Sequence, residues 1–337
     1  MTLPLAHETW FEDSRPAMDW GFAGEPLTLA LLVGAVAITL ALRILAGLRS
    51  GVDIPFLGRM APWMPFAVRM HLAVSLVGLL SLGVYLSPAM DLQADVAGIL
   101  LGAVMAVVAI GMASGWHVRE AAWLLIAAGP LGMLEFGVSP VLQRIDVLGL
   151  AVFVLLTGPG RWSADHELGR AHEPSPVDTA RAIWALRVGA GVALIVVAFV
   201  EKLANPDLAL AFLQSNPELN VARELGLGFS DLEFTRLAGA VEVLFGLLLI
   251  SGALPQAIVV IAGIPFNATL WFFGANELLG HLPTYGAMLV LLVVGSDPRL
   301  RSHVSGLWPW GHRVKGDAGA LDRRRGNPGA DPSPRPG

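Results

Sequence analysis

The residues of this chain best suited to chemistry lie where polar side chains are costly. Glu242 sits in a run of Ala, Val, Leu and Gly, six residues beyond Arg236. On a helix rising about 1.5 Å per residue, that is about 9 Å deeper. Gly239 and Gly246 flank it at i−3 and i+4, so all three share one face. A carboxylate is thus expected in a close helix–helix seam, either as a proton-transfer group or as a structural partner of a nearby cation. Lys202 follows Glu201 and either anchors a ligand or snorkels to headgroups. Glu277 and His281 are i,i+4 neighbours on a helix. His281 can exchange protons near neutral pH, although an interfacial helix-start cluster fits the pair as well. Asn267 and Trp271 are also i,i+4, and a buried amide needs a partner. Glu242 and His281 are therefore the candidate catalytic residues. Lys202, Arg236, Asn267, Trp271 and Glu277 are the candidate cofactor-binding residues.

The elements that hold these residues must be membrane helices. The chain has 337 residues, 55% hydrophobic and 15% charged, with mean hydropathy +0.64. A soluble domain carries about 25% charge. A net charge of −5 gives no nucleic-acid footprint. The absence of cysteine excludes disulfides, thiolate metal sites and iron–sulfur clusters on this chain. No metal or haem is expected; His71 and His117 make only a weak haem pair.

Apolar runs at 27–48, 66–87, 96–113, 121–138, 141–158, 182–203, 236–252, 255–274 and 282–295 predict nine spans of an all-α polytopic bundle. In this reading Pro283 starts the last span. The first run follows an acidic segment, which does not suit a cleavable signal. Assigning each Lys or Arg to its nearer side places 17 on one face and 5 on the other. This positive-inside bias predicts the N-terminus outside and the C-terminus cytoplasmic. Arg69 and Arg187 are expected to anchor cytoplasmic helix starts to lipid. Glu135, Arg144 and Asp146 are expected to form an outer salt-bridge cluster.

A duplication is also legible. Residues 102–115 match 239–252 at offset 137, with five of fourteen positions identical, and Phe136-Gly137 falls on Phe273-Gly274. Arg69 and Pro88 match Arg187 and Pro206 at offset 118. Glu242 then corresponds to Met105. The predicted organisation is an extracytoplasmic segment 1–26, a first helix 27–48, a four-helix repeat 66–160, a cytoplasmic linker 161–181, a second repeat 182–296 and a disordered cytoplasmic tail 297–337. Four spans per repeat keep both halves in the same orientation, so the repeats should be parallel.

The stretch 158–165, Gly-Pro-Gly-Arg-Trp-Ser-Ala-Asp, resembles the G-x-G-x-x-S-x-D ending of DoxX-like membrane proteins. Arg187, Gly191, Glu201-Lys202 and Pro206 resemble the first helix of that family, and Glu242 and the stretch 277–283 resemble its later features. The second repeat departs at its end, with Gly295-Ser-Asp-Pro, and the first has Gly83-Val84 where the Glu-Lys pair would stand. The resemblance implies two four-helix modules and a link to quinone-dependent membrane redox complexes such as thiosulfate oxidation. The expected function is a quinone-linked membrane subunit of a redox complex, with quinone as cofactor. Its expected partners are membrane lipid and a soluble or membrane oxidoreductase. Trp184, Phe266, Trp271, Phe272 and Phe273 either wall a quinone pocket or fill interfacial belts. A carrier for a small solute or lipid-like molecule fits the same residues, as does a membrane scaffold or assembly factor.

Overall fold

In a computed structural model the described residues are 16–48, 51–171, 173–273 and 275–308. Their regular elements are all helices, with one isolated bridge between Val84 and Asp91. The long helices are α1 Pro26–Leu48, α2 Met64–Ser81, α3 Val96–Ser114, α4 Val118–Phe136, α5 Ile145–Thr157, α6 Pro176–Val197, α7 Asp231–Ser251, α8 Pro255–Phe273 and α9 Ala275–Gly295. Among the described residues, six helices are long and apolar enough to cross a membrane. They are Pro26–Gly47, Ala61–Ser81, Val96–Ser114, Pro176–Leu203, Asp231–Ser251 and Leu278–Gly295. The protein is therefore membrane-embedded. α4 and α5 lie on two of the other apolar runs but fall short in hydropathy or length, while α8 is apolar over the described stretch Pro255–Ala268. α5 has only 13 residues.

Local chemistry sets the helix ends. Asp95 caps α3 by accepting from the Gly98 N–H, and Ser230 with Glu233 forms a capping box at the start of α7. Gly115 ends α3 and Gly252 ends α7, both in the left-handed conformation that suits a glycine C-cap. α6 continues into a π-helical turn, Ala198–Leu203.

α2 lies between α3 and α9, while α6 lies between α7 and α5. The tightest crossings rest on small residues, because lipid supplies no hydrophobic drive and helices associate through close contact. A Cβ on Gly189 of α6 would stand 2.9 Å from the Gly149 Cα of α5. On the opposite side of the bundle, a Cβ on Gly286 of α9 would stand 3.2 Å from the His71 Cβ of α2.

Two expectations are corrected at the end of the bundle that carries the α3–α4 and α7–α8 turns. Arg69 and Arg187 do not reach lipid; both are 0% exposed. Arg69 donates to the carbonyls of Met112 at 2.6 Å, Pro159 at 2.8 Å and Trp162 at 2.9 Å. Arg187 donates to the Val304 carbonyl and, at 2.6 Å, to that of Gly306. Their guanidiniums satisfy helix-end and loop carbonyls that lipid would leave bare. The tail is also ordered at its start. Arg301–Ser305 is helical, Arg301 pairs with Asp53, and Arg43 donates to the Ser305 carbonyl. Residues 309–337 lie outside the described residues.

Candidate functional site

At the opposite end, a cavity of about 220 Å³ opens among α6, α7, α8, α9 and the start of α5. Its polar lining comes from Gln143, Arg144, Glu201, Lys202, Glu242, His281 and Thr284. Val197, Phe245, Pro265 and Phe266 supply much of the apolar wall.

The π turn explains how α6 contributes two adjacent charges. Consecutive residues of an α-helix diverge by about 100°, and the wider π turn narrows that angle. Both Glu201 and Lys202 line the cavity, and Glu201 is 0% exposed. From α7, Glu242 Oε1 meets Lys202 Nζ at 3.2 Å, with side-chain exposures of 29% and 13%. This pair is the electrostatic centre of the site.

α9 brings His281, 6% exposed, edge-on to the Phe266 ring of α8 at 4.9 Å. Pro283 does not start this helix, as expected from the sequence, but lies inside it. Proline has no N–H, so the Leu279 carbonyl loses its helical donor. Ser75 Oγ of α2 supplies one at 2.9 Å. The adjacent Gly280 carbonyl accepts from Arg144 Nη2 at 2.9 Å. Arg144 lies 3.9 Å from Asp146, which accepts from the Thr284 hydroxyl at 3.1 Å. The interrupted turn of α9 is thereby fastened to α5, which holds His281 on the cavity that the Lys202–Glu242 pair also lines.

The structure thus gathers Glu242, His281 and Lys202 on one cavity. Arg236 is turned away from it. It pairs with Glu25 and lies 4.6 Å over the Phe22 ring, tying the short helix Trp20–Gly24 to α7. Asn267 is also elsewhere: it donates to the Gly263 carbonyl at 2.7 Å and faces a separate groove with Tyr285 and Met288. The side chains of Trp271, Phe272, Phe273 and Glu277 lie outside the described residues. Trp184 is at the far end of the bundle, stacked on Trp308. Of the expected outer cluster, Arg144 and Asp146 come together, while Glu135 is exposed on α4. His71 Nδ1 donates to the Ala67 carbonyl of its own helix, and His117 faces Glu120. Among the described residues, no three His, Asp or Glu side chains group as metal ligands would.

Sequence reasoning passed over Arg144 as a site residue because an outer Arg-x-Asp reads as a surface pair. One signal was present: Arg144 precedes His281 by the repeat offset of 137 residues. Comparison of the chain with family models, with curated proteins and with solved structures finds no match.

The arrangement suits a compact amphipathic ligand. Phe266 and Phe245 offer ring faces. Lys202, Arg144 and His281 are cationic or neutral donors, and Glu242 and His281 can hold or release protons.

Proposed function

We propose that the chain is a DoxX-like integral membrane protein of the bacterial inner membrane that binds a quinone head group in this cavity and serves a redox complex. The observation that carries the reading is the Lys202–Glu242 pair on one cavity with His281 and Phe266, where charged side chains face an apolar wall that includes Val197, Phe245 and Pro265. A quinone takes up two electrons and two protons on reduction to the quinol. The electrons must come from a partner oxidoreductase, because this chain has no cysteine for a thiol or cluster relay. Glu242 and His281 hold protons at the cavity, Lys202 and Arg144 orient carbonyl oxygens, and Phe266 with Phe245 excludes water.

In the same reading the chain has nine spans with the N-terminus outside, and the cavity faces the outer half of the bilayer. The 17-to-5 charge split supports this orientation. Residues 66–160 and 182–296 form two parallel four-helix units. Two contacts support that duplication: the Gly149–Gly189 crossing and the Gly286–His71 crossing exchange under the offsets 137 and 118 read from the sequence.

Organic extraction of protein purified in mild detergent tests the assignment. Near-stoichiometric quinone is expected. A different amphiphile would place the protein among carriers, and extraction of no small molecule would leave the scaffold reading; either outcome overturns the quinone assignment.

A further inference from the structure

α3 and α4 pack closely, but the α7–α8 pair, in the corresponding place, is much looser. The residues near the connecting turns explain the difference. A Cβ on Gly111 of α3 would stand 3.0 Å from the Ala121 Cβ of α4, so this glycine–alanine contact draws the two helices together. At offset 137 the same positions hold Leu248 and Ile258, which are 2% and 4% exposed. Two larger, branched side chains stand in α7 and α8 where their counterparts allow close contact.

The resulting gap leads to the cavity. Its rim carries Val241, 37% exposed, together with exposed Pro265 and half-buried Phe245 and Phe266. Pro265 also interrupts the hydrogen-bond ladder of α8 on this side, because the Ile261 carbonyl has no N–H donor at i+4. Among the described residues these four are apolar, whereas Glu201, Arg144 and His281 are buried, Lys202 is 13% exposed at its side chain and Glu242 is 29% exposed. A mouth facing water would carry polar residues at its edge, whereas one facing acyl chains requires the reverse.

We infer that the cavity opens sideways into the bilayer between α7 and α8, and that its ligand is a membrane-borne molecule with a polar head on an apolar body, entering by that gap. The identity of the ligand rests on the quinone reading; the gap does not.

The two are tested separately. The chain has no cysteine, so a nitroxide on Val241→Cys is a unique label. In nanodiscs its collisions with lipid-soluble oxygen should exceed those with a water-soluble nickel chelate. The pair Leu248→Gly with Ile258→Ala should draw α7 and α8 together and immobilise the label. Preferential collision with the chelate overturns the lateral gap, whatever the ligand is. The second arm uses Val241→Trp and a long-tailed quinone delivered from liposomes. A narrowed gate should slow association by about tenfold. Unchanged association overturns entry through the gap. If wild-type protein binds no quinone, the quinone reading fails and the label decides the gap.

Discussion

Glu242→Gln should remove quinone binding while leaving the protein folded. The substitution preserves size and one hydrogen bond to Lys202 but removes the charge that balances the ammonium 3.2 Å away. It also removes a proton acceptor. A charge-assisted bond is about twice as strong as a neutral one, and losing its electrostatic part costs about 1–2 kcal/mol of stability at a site still partly exposed. Binding should suffer more, because Lys202 no longer has a fixed position for a ligand carbonyl; affinity should fall about 100-fold. A structural role for the pair would predict something else. Replacing both partners by apolar residues, Lys202→Met with Glu242→Met, removes the desolvation cost of both ions and should recover stability. Under the binding account this double variant stays inactive. Recovery of affinity together with stability in the double variant would make the pair a structural clasp. The measurement is a quinone titration alongside thermal unfolding in the same detergent.

The largest stability effects are expected at the opposite end. Arg69→Met should strip donors from the carbonyls of Met112, Pro159 and Trp162 at once, with no water to replace them. Each bare buried acceptor costs about 1–3 kcal/mol, and the losses are not fully additive, so about 3–5 kcal/mol is expected. Arg187→Met should be comparable through Val304 and Gly306. Lysine should rescue little, because one ammonium cannot span carbonyls that a planar guanidinium reaches on several sides. The check is the midpoint of thermal unfolding in detergent, which should drop sharply for both methionine variants. An unchanged midpoint would mean the guanidiniums are dispensable.

These two arginines also show where sequence reasoning stopped. Their matching positions were visible in the repeat, and so was the pressure on a charge at a helix start. Lipid anchoring was the reasonable expectation, because nothing local announces that loops about 90 and 120 residues away close over the guanidiniums. The apolar runs were legible for a simpler reason: the bilayer demands long uninterrupted stretches, and among the described residues six helices on those runs are long and apolar enough to cross it. Glu242 stood out because a carboxylate between glycines in such a run has few uses. Its partner Lys202 was identifiable only as a candidate, since the pairing depends on a π turn that no residue pattern marks. Arg236 was misplaced for the opposite reason. It is close to Glu242 in sequence, but six residues along a helix turn it to another face, where Glu25 meets it. Pro283 was read as a helix start by the usual rule; Ser75, contributed by α2, lets the helix run through it.

The central claim is that a quinone head occupies the space between α6, α7, α8 and α9. A cryo-electron microscopy map of the protein in nanodiscs saturated with a short-chain quinone tests this most directly. The account predicts ring density bounded by Lys202, Glu242, His281 and Phe266. Density confined to the groove at Asn267 and Tyr285, with the cavity unchanged, would contradict it.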